Sequence, residues 1–295
     1  MFTPGATLAV VASIDGEFLA ALPQDDQSAE YSRFSPVSIA FRPDQMLVIA
    51  DGGSERILGL PLDPGLPRHV YAGGFSLRDP HALRTDPVGN IYAADGGQRI
   101  VEVVDARFRL AGEVVPPYDA LGLVQGRISG IAFSPLGELY LSDPTNGRIY
   151  RYDASGRYLS SFSGGEEVGW GQLLQPEGLA CANGGAELYV CDAGKRQIAV
   201  FDPSGMPLRV FGGTDLAEPW AIAVDINGQS YVADRKGQTI CVFDEQGRLI
   251  DKIEGPPVGN TRWLGPTDVV IRDSSLVVAD PPSGRIVIMK VASPK

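Results

Sequence analysis

Only two histidines occur in the 295 residues, His69 and His81. A zinc site made of three imidazoles is therefore excluded, whatever the fold. The other residues able to do chemistry form a short series: His81, Ser129, Glu177, Trp220 and Thr267, with Val37 in the corresponding place near the N-terminus. Each follows a proline, except that Ile128 precedes Ser129. His81, Glu177 and a water are the one metal arrangement this series leaves open. Ser129 would act as a nucleophile only with His81 in hydrogen-bond reach, and no glycine-rich elbow surrounds it. Trp220 offers a stacking wall to a small ligand. We expect the series to line a binding mouth, with no catalytic residue, no metal and no other cofactor.

The elements that position these residues are legible in the stretch from Gly171 to Gly213. Glu177 to Cys181 reads as a strand and Asn183-Gly184-Gly185 as a turn. Glu187 to Cys191 is an apolar strand ending on Asp192. Gln197 to Phe201 and Pro207 to Phe211 follow, joined by Asp202-Pro203-Ser204-Gly205. Proline presets the first corner of such a turn and glycine supplies its positive φ. Three successive hairpins make a four-stranded antiparallel sheet. The second strand lacks apolar/polar alternation, so it needs cover on both faces, as sheets stacked on similar sheets provide.

The aspartate ending that strand recurs as Asp51, Asp95, Asp143, Asp192, Asp234 and Asp280, at intervals of 42 to 49 residues. Four-stranded units repeating at this period predict a six-bladed β-propeller. The blades are placed at about 36–71, 80–115, 128–162, 176–211, 219–253 and 266–291. Two long connections, Pro116 to Arg127 and Glu254 to Gly265, are the places for binding loops. Arg56, Arg99, Arg148 and Arg285 follow four of the aspartates by four or five residues, which predicts Asp–Arg pairs bracing the turns.

Gly-Trp-Gly-Gln-Leu-Leu-Gln-Pro-Glu-Gly-Leu-Ala (169 to 180) and Leu188-Tyr-Val-Cys-Asp192, followed by Gln197-Ile-Ala-Val-Phe-Asp202, resemble the NHL repeat. The similarity extends over nearly the whole chain and is best in blades four and five. Blade six carries Asp268 where the first strand of the pattern has glycine. The resemblance implies an all-β propeller whose innermost strands begin at the mouth of a central channel. Related lyase propellers gather several histidines there, and lactonase propellers bind calcium through several carboxylates and an Asn. Here only His81 and Glu177 answer to those positions, with Asp268 expected to turn aside. Trp170 and Trp263, on connections between blades, are candidates for a partner-binding hot spot.

Both chain ends are expected to share a blade. Arg285 to Val291 supplies its third strand, and Glu17 to Leu22 is placed as the outer strand that closes the ring. Leu8 to Ser13 is then surplus, a fifth outermost strand offering an edge to a partner.

Composition bounds the function. Hydrophobic residues make up 44%, with 36 Gly and 23 Pro, a turn-rich folded chain rather than a disordered one. The net charge of −11 disfavours phosphate backbones and anionic lipid, so neither nucleic acid nor membrane insertion is expected. Three cysteines cannot all pair within one chain, and the hairpin register sets Cys181 beside Leu188 rather than Cys191. Buried thiols and an N-terminus without a basic lead to its apolar run predict a cytoplasmic protein; removal of a signal peptide would make it periplasmic or secreted. The function expected is a non-catalytic interaction module, acting alone or as a subunit of a larger complex. It binds another protein through one loop face or the N-terminal edge strand. The alternative is a lyase or lactonase-type enzyme using the mouth around His81, Glu177 and Trp220.

Overall fold

The computed structural model describes residues 9–23, 31–63, 69–72, 77–163, 172–256 and 261–291. They form six four-stranded antiparallel sheets, the blades of the expected β-propeller. The innermost strands are Pro36–Phe41, Pro80–Thr85, Gly130–Phe133, Pro176–Ala182, Pro219–Val224 and Asp268–Arg272. Each contacts the innermost strand of the next blade, and the sixth contacts the first, so the ring is closed around a channel.

Blade four shows the local logic. Cys181 pairs with Leu188 across the first hairpin, as the turn residues predicted, and all three cysteines are free thiols. The second strand, Glu187–Asp192, is buried from Leu188 onward, while the outermost, Pro207–Phe211, alternates between half-buried and exposed. The apolar faces meet between blades. Tyr189, Cys191 and Val200 of blade four join Ile222, Val232 and Phe243 of blade five in one cluster. Each fully buried aliphatic or aromatic side chain contributes about 1.5–3 kcal/mol.

Trp263, expected at an exposed contact face, belongs to the corresponding layer between blades five and six. It is fully buried, and its Nε1 donates to the Ile253 carbonyl at 3.0 Å. An indole with a backbone acceptor in reach gains more by burial than by waiting for a partner. Trp170 lies outside the described residues.

The six aspartates are structural, and among the described residues only Asp280 has an arginine paired with it. Asp192 accepts from the amides of Leu174 and Gln175, and Asp234 from those of Ala217 and Glu218. Asp51, Asp95 and Asp280 likewise bind the segment entering the innermost strand. Each also caps its own turn, as Asp51 does through Gly53 and Ser54. Arg99 and Arg148 turn away instead, to the Gln125 carbonyl and the Ser161 hydroxyl. Arg285 comes within 3.8 Å of Asp280. Amides of an irregular segment have no ladder to join, so the buried carboxylate serves them first.

Closure of the ring uses the N-terminal segment, but one element earlier than expected. Ala9–Asp15 pairs antiparallel with Arg285–Lys290, Ile14 opposite Ile286 and Asp15 opposite Arg285. Glu17 to Leu22 is not the closing strand: Gly16–Ala20 is a short helix, capped by Asp15 accepting from the Phe18 amide at 2.9 Å. An aspartate N-cap ends the strand, and Leu19 of the helix is fully buried. Blade six therefore has four strands, without a fifth among the described residues. The Leu8 to Ser13 stretch overlaps the closing strand itself, with Leu8 outside the described residues.

Candidate functional site

An antiparallel meander gives the disc two distinct faces. On the upper face the innermost strands begin and the second strand turns into the third. On the lower face the innermost strand turns into the second, and the third into the fourth. The predicted mouth is on the upper face.

Glu177 stands there, second in the innermost strand of blade four. It is buried, and accepts from Arg127 Nη2 at 2.9 and 3.2 Å and from Gln175 Nε2 at 2.9 Å. Burial raises its pKa, an effect that Arg127 and Gln175 oppose. The buried Ser129 hydroxyl lies toward this carboxylate, close enough to favour its charge, yet outside hydrogen-bond geometry. His81 is half-buried, its Nε2 3.1 Å from Asp79. Burial lowers the His81 pKa and Arg127 adds to the drop, against the pull of Asp79 and Asp95.

Trp220 is half-buried between two guanidinium groups. Arg235 stacks on its ring at 3.4 Å from the centroid and Arg127 stands 5.6 Å away. Glu218 holds Arg235 through both carboxylate oxygens, at 2.8 and 3.0 Å. Thr267 is occupied with the fold, its hydroxyl donating to the Val37 carbonyl at 2.9 Å. The structure thus gathers His81, Ser129, Glu177, Trp220 and Thr267 around one opening and adds Arg127 and Arg235. Glycines allow the close approach of the strands: a Cβ at Gly130 would collide with the Glu177 carbonyl, and one at Gly178 with the Trp220 carbonyl and Ala221 backbone.

Beneath this mouth the channel is closed. Asp268 points into the axis rather than aside. It receives both terminal nitrogens of Arg84 at 2.8 and 2.9 Å, the Ser38 hydroxyl at 2.5 Å and the Ile39 amide at 2.9 Å. Ser38 in turn accepts from the Leu83 amide at 2.9 Å. Burial opposes the charge on Arg84, but Asp268 outweighs it and raises the pKa.

Arg84 and Asp268 both stand out in the sequence, although only Asp268 marks a departure from the repeat's glycine. Two places after the opening position come Ser38, Ala82, Gly130, Gly178, Ala221 and then Asp268. Four places after it come Ala40, Arg84, Ala132, Ala180, Ala223 and Val270. One acid and one base break two rings of mostly small residues, and they find each other across the axis. Among the described residues, no three His, Cys, Asp or Glu side chains cluster as metal ligands do.

The SMP-30/gluconolactonase/LRE-like region matches residues 84–264, and the chain belongs to that family. Two curated NHL-repeat proteins match as well. Protein brain tumor of Drosophila melanogaster is 28% identical over 46% of this chain. B-box type zinc finger protein ncl-1 of Caenorhabditis elegans is 30% identical over 68% of it. The chain spans only 13% and 25% of those two proteins. Virginiamycin B lyase from Staphylococcus aureus superposes with a TM-score of 0.67 at 12% identity, over 97% of this chain and 100% of that one. A gluconolactonase from Xanthomonas campestris gives 0.66 at 18% identity, over 88% and 86%. At such identities the likeness is one of fold.

Proposed function

We propose that the protein is a non-catalytic binding module that holds another protein against its upper face. The observation that carries this reading is the Arg127–Trp220–Arg235 stack, a preassembled aromatic and guanidinium anchor of the kind that dominates interface energetics. Exposed apolar side chains surround it on the segments entering the innermost strands: Val124, Leu174 and Leu264. Exposed Arg99, Arg196, Lys236 and Arg262 lie further out. An apolar patch rimmed by charge marks a contact surface, and this one suits a partner segment carrying carboxylates and apolar anchors. The closed axis beneath leaves the mouth shallow. Nucleic acid is not the expected partner, given the net charge of −11. The three free thiols fit a cytoplasmic setting, and no helix among the described residues is long and apolar enough to cross a membrane.

Affinity capture from the native host tests this, run in parallel with wild type, Trp220→Ala and Leu174→Glu/Leu264→Glu. One stoichiometric protein should be retained by wild type and lost by both variants, in nuclease-treated material. Retention by both variants, or capture that nuclease abolishes, would overturn the reading.

A second reading has its own support. The family includes gluconolactonases by name, and burial shifts the His81 pKa downward, in the direction that favours the neutral form a base needs. A lactonase or lyase working at His81, Glu177 and Trp220 would hydrolyse or eliminate a substrate lying across the upper mouth. Glucono-lactone turnover by wild type, lost in His81→Ala at unchanged melting temperature, would establish it in place of the first.

A further inference from the structure

The lower mouth of the channel is a different site. It opens into a cavity of about 390 Å³, within the size range of small-ligand pockets. Its wall is the ring of small residues at the far ends of the innermost strands, Ala132, Ala180 and Ala223 among them, backed by Leu179, Ile222 and Val269. Phe41 and Phe133 stand at its edge. The channel-side edges of the innermost strands pair with no other strand among the described residues, so main-chain polar groups also face the space.

The charge of this cavity is unusual for so acidic a chain. Three arginines line it and no carboxylate does. Arg84 is matched by Asp268 and Arg42 by Asp44, at 2.8 and 2.7 Å. Arg272 has no acidic partner among the described residues: its guanidinium is held by the carbonyls of Arg42 and Pro43, at 2.7 and 3.4 Å, and stands over the Phe41 ring. Carbonyls orient a guanidinium without neutralising it, and an arginine held in place is a ready carboxylate receptor. One uncompensated positive charge over an apolar wall matches one negative charge on an apolar body. A doubly charged phosphate would leave charge unpaired against that wall, at a desolvation cost.

We propose that the lower mouth binds a small organic monoanion, a carboxylate carried on an aliphatic or aromatic skeleton, with Arg272 as the anion receptor. The skeleton lies against the ring of alanines and the floor is Arg84, whose charge Asp268 holds from behind. This site is independent of whatever occupies the upper face, because the ion pair separates the two.

Calorimetric titration with octanoate and phenylacetate, and with octan-1-ol as the neutral counterpart, tests the proposal. Amide shifts in labelled wild-type protein locate the binding. Both carboxylates should bind with one-to-one stoichiometry and shift Ala132, Ala180 and Ala223. Arg272→Met should weaken them about tenfold, the loss of one charge-assisted hydrogen bond, and leave octan-1-ol unchanged. Ala223→Phe should abolish binding of all three. Absence of carboxylate binding at tens of millimolar, shifts confined to other surfaces, or equal weakening of acid and alcohol by Arg272→Met would overturn it. If neither variant folds, the wild type decides: octan-1-ol binding as tightly as octanoate counts against an anion receptor.

Discussion

The two faces of the disc are built from the same repeat by opposite means. On the lower face, an aspartate satisfies its own turn within five residues. Asp153 accepts from the amides of Ser155 and Arg157, and Asp225 from those of Asn227 and Gln229. On the upper face, a buried aspartate reaches a segment some 16 or 17 residues earlier, as Asp234 reaches Glu218 and Ala217. Local satisfaction makes the lower turns interchangeable and self-contained. Remote satisfaction anchors the end of an upper connection, and it fixes the backbone of exposed apolar side chains there: the amides of Leu174 and Leu264 are held by Asp192 and Asp280. That is where recognition is expected, and the lower face contributes instead a cavity at its hub.

The ion pair dividing the two mouths is where the contrast is most easily broken. Asp268→Ala strands a buried guanidinium and should cost about 3–5 kcal/mol, measured by denaturant unfolding. The double variant Arg84→Met/Asp268→Leu should lose much less, since neither charge is then left alone. A small loss in the single variant would mean that water replaces the carboxylate and the two mouths communicate. Next in size is the difference between the capping aspartates. Asp234→Ala removes a buried carboxylate that accepts from the amides of Ala217, Glu218 and Gly237, at about 2–3 kcal/mol. Asp225→Ala, in a solvated turn, should cost about 1 kcal/mol or less. Equal losses would erase the distinction between remote and local capping.

Acid titration sharpens it further. Hydrogen bonds from Arg109 and from Ser155 and Arg157 lower the carboxyls of Asp105 and Asp153 to about 2. A depressed folded-state pKa contributes stability above the unfolded value of about 3.8, lost as pH falls toward 2. Asp105→Asn/Asp153→Asn should therefore flatten the stability profile across that window and leave it nearly unchanged in slope at neutral pH. The smallest effect is expected at Ser129, whose buried hydroxyl has no hydrogen-bond partner among the described residues: Ser129→Ala should shift stability by less than about 0.5 kcal/mol. A larger loss would show that the hydroxyl binds Glu177 in solution.

Much of this was legible from the chain alone. Asp202-Pro203-Ser204-Gly205 forms the expected tight turn, with Gly205 at a φ of 95°. The buried second strands were evident from their lack of alternation. Glu177, His81 and Trp220 each stand at the second position of an innermost strand, as the repeat predicted. Other features were not legible, for identifiable reasons. The Glu17 to Leu22 segment matched the spacing of an outer strand, but spacing cannot distinguish extended chain from a helical turn capped by Asp15. Trp263 sits in a connection, and whether a connection's indole faces solvent or the neighbouring blade depends on how that blade packs. The phenylalanine at position 108 occupies the positive-φ place that glycine holds in sister turns, with φ at 59°. Its ring is buried beside Gly59 and stacked with Tyr71, a compensation that only the neighbouring blade reveals.

The chain by itself determined the number of blades, the order of strands and the course of each hairpin, because turn chemistry and strand patterning act over a few residues. Which N-terminal strand closes the ring, and how Arg84 crosses to Asp268, were decided only in the assembled disc. Those pairings join residues far apart in sequence, and they exist only once six blades have set the width of the channel.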